Sequence, residues 1–257
     1  MPRAVAINVA ANTNLPGVRG PIYADGRFEY VPIPEREPVD EPVPTYADLD
    51  LRTSLPDGHL DTPVHLDPAF AEYAHCDRYT YGDEHGVKAG PLTDLSAGDY
   101  VFFYATLSAT DEEAEPTVDD ENAPTASDEP RARWIAPEWG AYVIGQFRLA
   151  RDPLTGEEYR ALPPAEQEWF ASNAHVRREQ FDAKVLLAGD PDDSALYDRA
   201  VPLSSAEAGS DANRLVTDLS SDSGNGPWWR RPMRFDAPAV EELLAIRRTG
   251  AFDRCFR

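Results

Sequence analysis

The chain has 257 residues, 42% of them hydrophobic, and a formal net charge of −22, a composition that supports a sizeable core and excludes an intrinsically disordered chain. No run approaches the roughly 20 apolar residues of a membrane helix, and the opening stretch from Met1 to Ala11 lacks the cleavage pattern of a secretory leader, so a cytoplasmic protein without membrane contact is expected. Only Lys88 and Lys184 are lysines among 24 basic residues. Abundant carboxylate with scarce lysine reads as adaptation to concentrated salt, where a Debye length of about 3 Å at 1 M screens self-repulsion.

In chain order, Arg3 to Ala11 is apolar and β-branched and reads as a buried first strand. Asn12 to Pro21 is a loop. Ile22-Tyr23, the turn Ala24-Asp25-Gly26 and Phe28 to Ile33 predict a hairpin. Glu35 to Pro56, rich in Pro, Glu and Asp, reads as an exposed connector. Asp57 to Gly90 holds His59, His65, His75 and His85 and reads as a long structured loop region, of the kind that carries function. Tyr100 to Leu107 is the strongest strand signal, with Tyr142 to Leu149 as its antiparallel partner. Between them, 111–130 carries nine carboxylates and no basic residue, predicting a flexible acidic insertion. Pro163 to Ala171 predicts a helix. Ala183 to Gly189 predicts a strand, and Ser194 to Ser204 a short helix and a strand. A last helix is expected from Pro238 to Thr249, capped by Asp236 and stopped by Gly250. The sum is one α+β domain over 1–257, with a β-rich core and decorating helices and loops.

The charge is uneven. Residues 228–257 form an arginine-rich helix and tail with seven arginines against four carboxylates. Trp228-Trp229-Arg230-Arg231 has the residue types that stack on bases and contact phosphates. The reading preferred here is that the tryptophans anchor the tail to the core. Cys76 and Cys255 are far apart, in no metal-pair spacing, and read as buried or idle thiols.

Seven blocks in order carry a family resemblance: 20–34 (GPIYADGRFEYVPIP), 65–70 (HLDPAF), 80–83 (TYGD), 98–104 (GDYVFFY), 141–147 (AYVIGQF), 173–177 (NAHVR) and 184–189 (KVLLAG). Together they resemble the nucleotide modification associated domain 3 family. The resemblance implies a part in making or handling modified bases, DNA more than RNA, alongside other proteins of a modification system. The two strand blocks are also similar to the core pair of PUA-like barrels, which hold bases; this is a fold-level analogy.

His65 and Asp67 lie two apart and, in an extended segment, face one side. His175 and Arg177 share that spacing after Asn173. If the segments meet, His65, Asp67 and His175 form a catalytic group in which imidazole shuttles protons, and Asn173 and Arg177 contact substrate, the arginine by clamping phosphate. Tyr79 and Tyr81 are candidates for stacking on a base, and Asp83 for accepting hydrogen bonds from its edge. The same His65, Asp67 and His175 are the donor types of a two-histidine, one-carboxylate metal site, a competing use of these residues; the primary reading assigns no metal and leaves the cofactor open. Glycine-rich phosphate loops, a Gly-x-Ser-x-Gly elbow and Cys-x-x-Cys pairs are absent from the sequence. Enzyme, non-catalytic reader of modified bases and assembly partner all remain open. A charge of −22 favours a nucleotide or a single base over an extended duplex as ligand.

Overall fold

A computed structural model describes residues 1–56, 58–111 and 131–256. Eleven strands are described: β1 (Ala4–Asn8), β2 (Pro21–Ile22), β3 (Ile33–Pro34), β4 (Val64–His65), β5 (Thr80–Asp83), β6 (Tyr100–Ala109), β7 (Trp139–Arg148), β8 (Leu154–Thr155), β9 (Val185–Ala188), β10 (Ala195–Pro202) and β11 (Met233–Phe235). The α-helices are α1 (Gly86–Thr93), α2 (Gly156–Ala161), α3 (Pro164–Gln167), α4 (Arg214–Thr217) and α5 (Ala237–Thr249).

The two longest apolar runs, β6 and β7, pair antiparallel from Tyr100↔Arg148 to Ser108↔Trp139. They are the centre of a mixed sheet in the order β10-β7-β6-β1-β11, with β2 beside the far end of β6. β1 runs parallel to β6, from Ala4↔Tyr100 to Asn8↔Tyr104. Both faces of this sheet are covered, which is why its strands read as unbroken apolar runs. The period of two still sorts the side chains. Val5, Ile7, Val101, Phe103 and Phe147 point to one core. Ala4, Ala6, Phe102, Tyr104 and Val143 point to the other, beneath Val240, Leu243 and Ile246 of α5.

Among the described residues β10 does not pair with β11, so the sheet is open and forms no closed barrel. The α+β reading holds and the PUA-like barrel does not. Other expectations change in detail. The turn at Asp25-Gly26 forms, with Tyr23 N–H bonded to Arg27 O at 2.8 Å and Ile22 bridged antiparallel to Phe28, and β2 also pairs with β6. The connector after Glu35 carries a 3₁₀ turn at Tyr46–Leu49 with both of those side chains buried. The loop region from residue 57 contains β4, β5 and the first turn of α1. Residues 195–202 are all strand. α5 matches its prediction: Asp236 caps Ala239 N–H and Gly250 ends the helix at φ 64°. Trp228 is fully buried, with its indole N–H on Ser210 O at 2.9 Å, so it anchors the tail. Both cysteines are free. The acidic insertion, beyond Asp111, lies outside the described residues.

The small strands set the site. β3 and β4 pair antiparallel with Ile33 opposite His65. β5, β9 and β8 form a second sheet in the order β5-β9-β8. The Ala69↔Thr80 bridge ties the segment after β4 to the start of β5. The loop from Ala171 to Asp182 then crosses back, with Arg178 paired to Val39.

Candidate active site

His65, Asp67 and His175 come together from β4, the turn after it and the 171–182 loop. All three are buried, at 5%, 7% and 4% exposure. The imidazoles meet edge to face, with centroids 4.9 Å apart. Asp67 Oδ2 lies 3.9 Å from His65 Nε2 and 3.5 Å from His175 Nε2, so neither ring makes a hydrogen bond to it.

Each ring's other nitrogen is already used. His65 Nδ1 lies 2.6 Å from Glu35 Oε2. Burial alone would raise the Glu35 carboxyl, but its bonds to His65 and Arg178 outweigh that and hold it at about 2. Glu35 is therefore an ionised acceptor and His65 Nδ1 the donor. His175 Nδ1 lies 2.7 Å from Asp182 Oδ1. Burial, with His65 nearby, pushes His175 down to about 4, so this ring is neutral at neutral pH. Both Nδ1 atoms face carboxylates, with Arg178 also 3.2 Å from His175 Nδ1, and both Nε2 atoms lie on the Asp67 side.

Asp67 is fixed in turn. Gly82 N–H donates to its two oxygens at 3.1 and 2.9 Å, and Asn173 Nδ2 donates to Oδ1 at 3.0 Å. Burial still pushes its carboxyl well above the usual carboxylate range. Asn173 also accepts from His175 N–H at 3.0 Å, so one amide sets both Asp67 and His175. Gly82 is required by contact: a Cβ there would stand 2.7 Å from His175 Cδ2. Gly82→Ala is expected to push the His175 ring out of position and destabilise the fold by about 1–3 kcal/mol. The check is a denaturation curve together with the ligand binding of the folded variant.

His65, Asp67 and His175 each offer one ligand atom, and the three atoms lie within 4.8 Å of one another. Donors about 2.1 Å from a shared ion stand about 3.0–3.4 Å apart at octahedral or tetrahedral angles, so the 3.9 and 3.5 Å separations from Asp67 Oδ2 would shorten by up to about 0.9 Å on binding an ion. The carboxylate on each imidazole Nδ1 is the outer-shell arrangement that orients metal-binding histidines. A second group, Glu84, His175 and Asp182, is close enough to suit an ion. There, however, Arg178 already supplies the cation: its Nη1 bonds Glu84 at 2.6 Å and Asp182, and its Nη2 bonds Glu35 at 2.9 Å.

The three converging side chains open onto a cleft of about 240 Å³, also lined by Asn8, Asn12, Tyr81, Asp83, Lys88 and Arg178. That is below the roughly 300–1,000 Å³ of drug-sized pockets and suits a group the size of one base.

A family model described as nucleotide modification associated domain 3 matches residues 3–245. The chain belongs to that family. Its description associates the chain with nucleotide modification. No curated protein and no solved structure matches the chain. Among the described residues no helix is long and apolar enough to cross a membrane.

For this nucleotide modification associated domain, the residues expected from sequence fall into two groups. His65, Asp67 and His175 converge on the cleft, Tyr81 and Asp83 line it, and Asn173 supports it from behind. Tyr79 and Arg177 are not among the lining residues. Tyr79 packs on Phe147 and its hydroxyl donates to Glu72 at 2.6 Å. Tyr81 packs on Phe103, with its hydroxyl on Asp83 at 2.8 Å. Both rings are buried in the core, so neither presents a face for stacking. Arg177 points to Pro42 O at 3.0 Å. The reason is local: Asn173 to Arg177 is a turn, with Val176 and Arg177 N–H bonded to Asn173 O. In a turn, residues three apart share a face, so Arg178 rather than Arg177 joins His175. Glu35, Asp182 and Glu84 were missed as well. Glu35 lies in an acidic, proline-rich stretch whose composition resembles any exposed connector.

Proposed function

We propose that the chain is a metal-dependent enzyme that modifies a base held in the His65–Asp67–His175 cleft. The observation that carries this reading is that buried His65, Asp67 and His175 offer ligand atoms within 4.8 Å of one another, each imidazole braced by its own carboxylate. The donor set suits a divalent first-row metal. When bound, such an ion supplies Lewis acidity and open coordination positions beside the base. The chain's own groups do the rest. Glu35 and Asp182 hold the imidazoles in the tautomer that offers Nε2. Asn173 and Gly82 aim Asp67. Asn8, Asn12 and Asp83 bring hydrogen-bonding groups to the base edge, and the cleft's small volume limits the water beside it.

An enzyme fits better than a reader, because a reader depends on stacking faces and the two candidate tyrosines are packed away. The target in this reading is a base of DNA in preference to RNA, and other proteins of a modification system are the expected partners. The test is made in the native host. Nucleosides are released from its nucleic acid and weighed by mass spectrometry, in cells carrying the wild-type chain and in cells carrying His65→Ala. A modified nucleoside present in the first and missing from the second supports the enzyme. Identical profiles would count against it.

A further inference from the structure

A base reaches the cleft attached to a sugar and, in a nucleotide or a strand, to phosphate, yet among the described residues the cleft has no cation to spare. Arg178 bonds three carboxylates, and Lys88 stands 3.7 Å from Asp83. The groove continues, however. Asn8 and Asn12 also line a second cavity of about 260 Å³. Its other walls include Arg19, Thr106, Trp229 and Arg230, and among the described residues no carboxylate lines it. In a chain of net charge −22 that is a local reversal of sign. Arg19 lies over the Trp139 ring at 4.5 Å, and its Nε is buried without a hydrogen-bond partner. Burial of the guanidinium lowers its pKa, the direction expected of a cation short of anionic neighbours. Arg230 is exposed, on the 3₁₀ turn that the buried Trp228 anchors. Trp229 is partly exposed and packs edge-on against Trp139.

We infer that this second cavity binds the phosphate of the nucleotide whose base enters the first, with Arg19 and Arg230 as the phosphate ligands and Asn8 and Asn12 along the sugar between them. The two cavities together take one nucleoside phosphate, and Trp229 flanks the phosphate end, where a neighbouring base of a strand would lie. The inference rests on the base-binding reading of the first cleft but not on its metal. Guanidinium groups bind phosphate through paired, charge-assisted hydrogen bonds, which supply local attraction against the overall negative charge.

The test is a binding titration in fixed salt, with 2′-deoxynucleosides, their 5′-monophosphates and a short single-stranded DNA oligonucleotide as probes. Phosphate-bearing probes should bind wild type more tightly than nucleosides do. Arg230→Ala and Arg19→Gln should each weaken them on the order of tenfold while leaving nucleosides unchanged. Arg230 is exposed, so its variant tests the idea even if Arg19→Gln disturbs the packing on Trp139. Preferential binding of the oligonucleotide, lost in Trp229→Ala, assigns the phosphate to a strand. Equal binding of monophosphate and oligonucleotide assigns it to a free nucleotide. If both arginine variants bind phosphate-bearing probes as wild type does, the inference fails. Metal content, measured on the same samples, separates the two ideas: arginine-dependent phosphate binding by a chain that holds no metal would sink the metal reading and leave this one standing.

Discussion

Replacing Arg178 by methionine should destabilise the protein by about 3–5 kcal/mol, the cost typical of removing one partner from a buried ion pair. The guanidinium bonds Glu35, Glu84 and Asp182, joining all three carboxylates through one cation. Without it, Glu35 and Asp182 stand as poorly compensated carboxylates behind the two imidazoles. Methionine keeps most of the side-chain volume, so lost packing is a minor part of the effect. The measurement is a chemical denaturation curve against wild type at the same salt concentration, because salt alters every charge effect in a chain of this composition. A loss under about 1 kcal/mol would show that solvent already satisfies these carboxylates, as it does for exposed pairs.

The second large effect is expected at His175. His175→Ala removes one of three converging donors, and it should weaken divalent metal binding by at least about 100-fold, beyond the 10–100-fold typical of outer-shell changes. The fold should survive. Asp182 keeps its bond to Arg178, and Asp67 keeps those to Gly82 and Asn173. Glu35→Gln is the informative contrast. It retains the shape of the His65 partner and removes only its charge, so its loss of affinity should fall within the outer-shell range. Equal losses in the two variants would make His175 a supporting residue and not a ligand. Titration of each folded variant with zinc or manganese reads the difference.

The sequence makes the core legible for a plain physical reason. Both faces of the main sheet are buried, so β1, β6 and β7 appear as apolar runs too continuous to be anything else, and α5 has a cap at Asp236 and a stop at Gly250. Its open edges were not legible, because nothing in a strand's own residues says whether its sheet closes. The converging groups were legible as pairs: His65 with Asp67, and Asn173 with His175. Their supporting carboxylates were not. Glu35 reaches His65 only because β3 and β4 pair, and no spacing between residues 35 and 65 encodes that register. Arg178, and not Arg177, lies beside His175, because an extended chain and a turn select different residues for one face. Tyr79 and Tyr81 have the chemistry for stacking, but β5 turns both toward Phe103 and Phe147, and burial removes the faces that stacking needs. The Trp228–Arg231 run divides between its two readings: Trp228 anchors, while Trp229 and Arg230 line a cavity.

The most direct test of the account is elemental analysis of the purified wild-type chain held in molar salt, beside His65→Ala prepared in the same way. Wild type should hold about one divalent transition-metal ion per chain, removed by chelator, restored with a rise in the thermal midpoint, and missing from the variant. A wild-type chain that retains no metal, and whose thermal midpoint does not move when zinc, manganese or iron(II) is added, would contradict it.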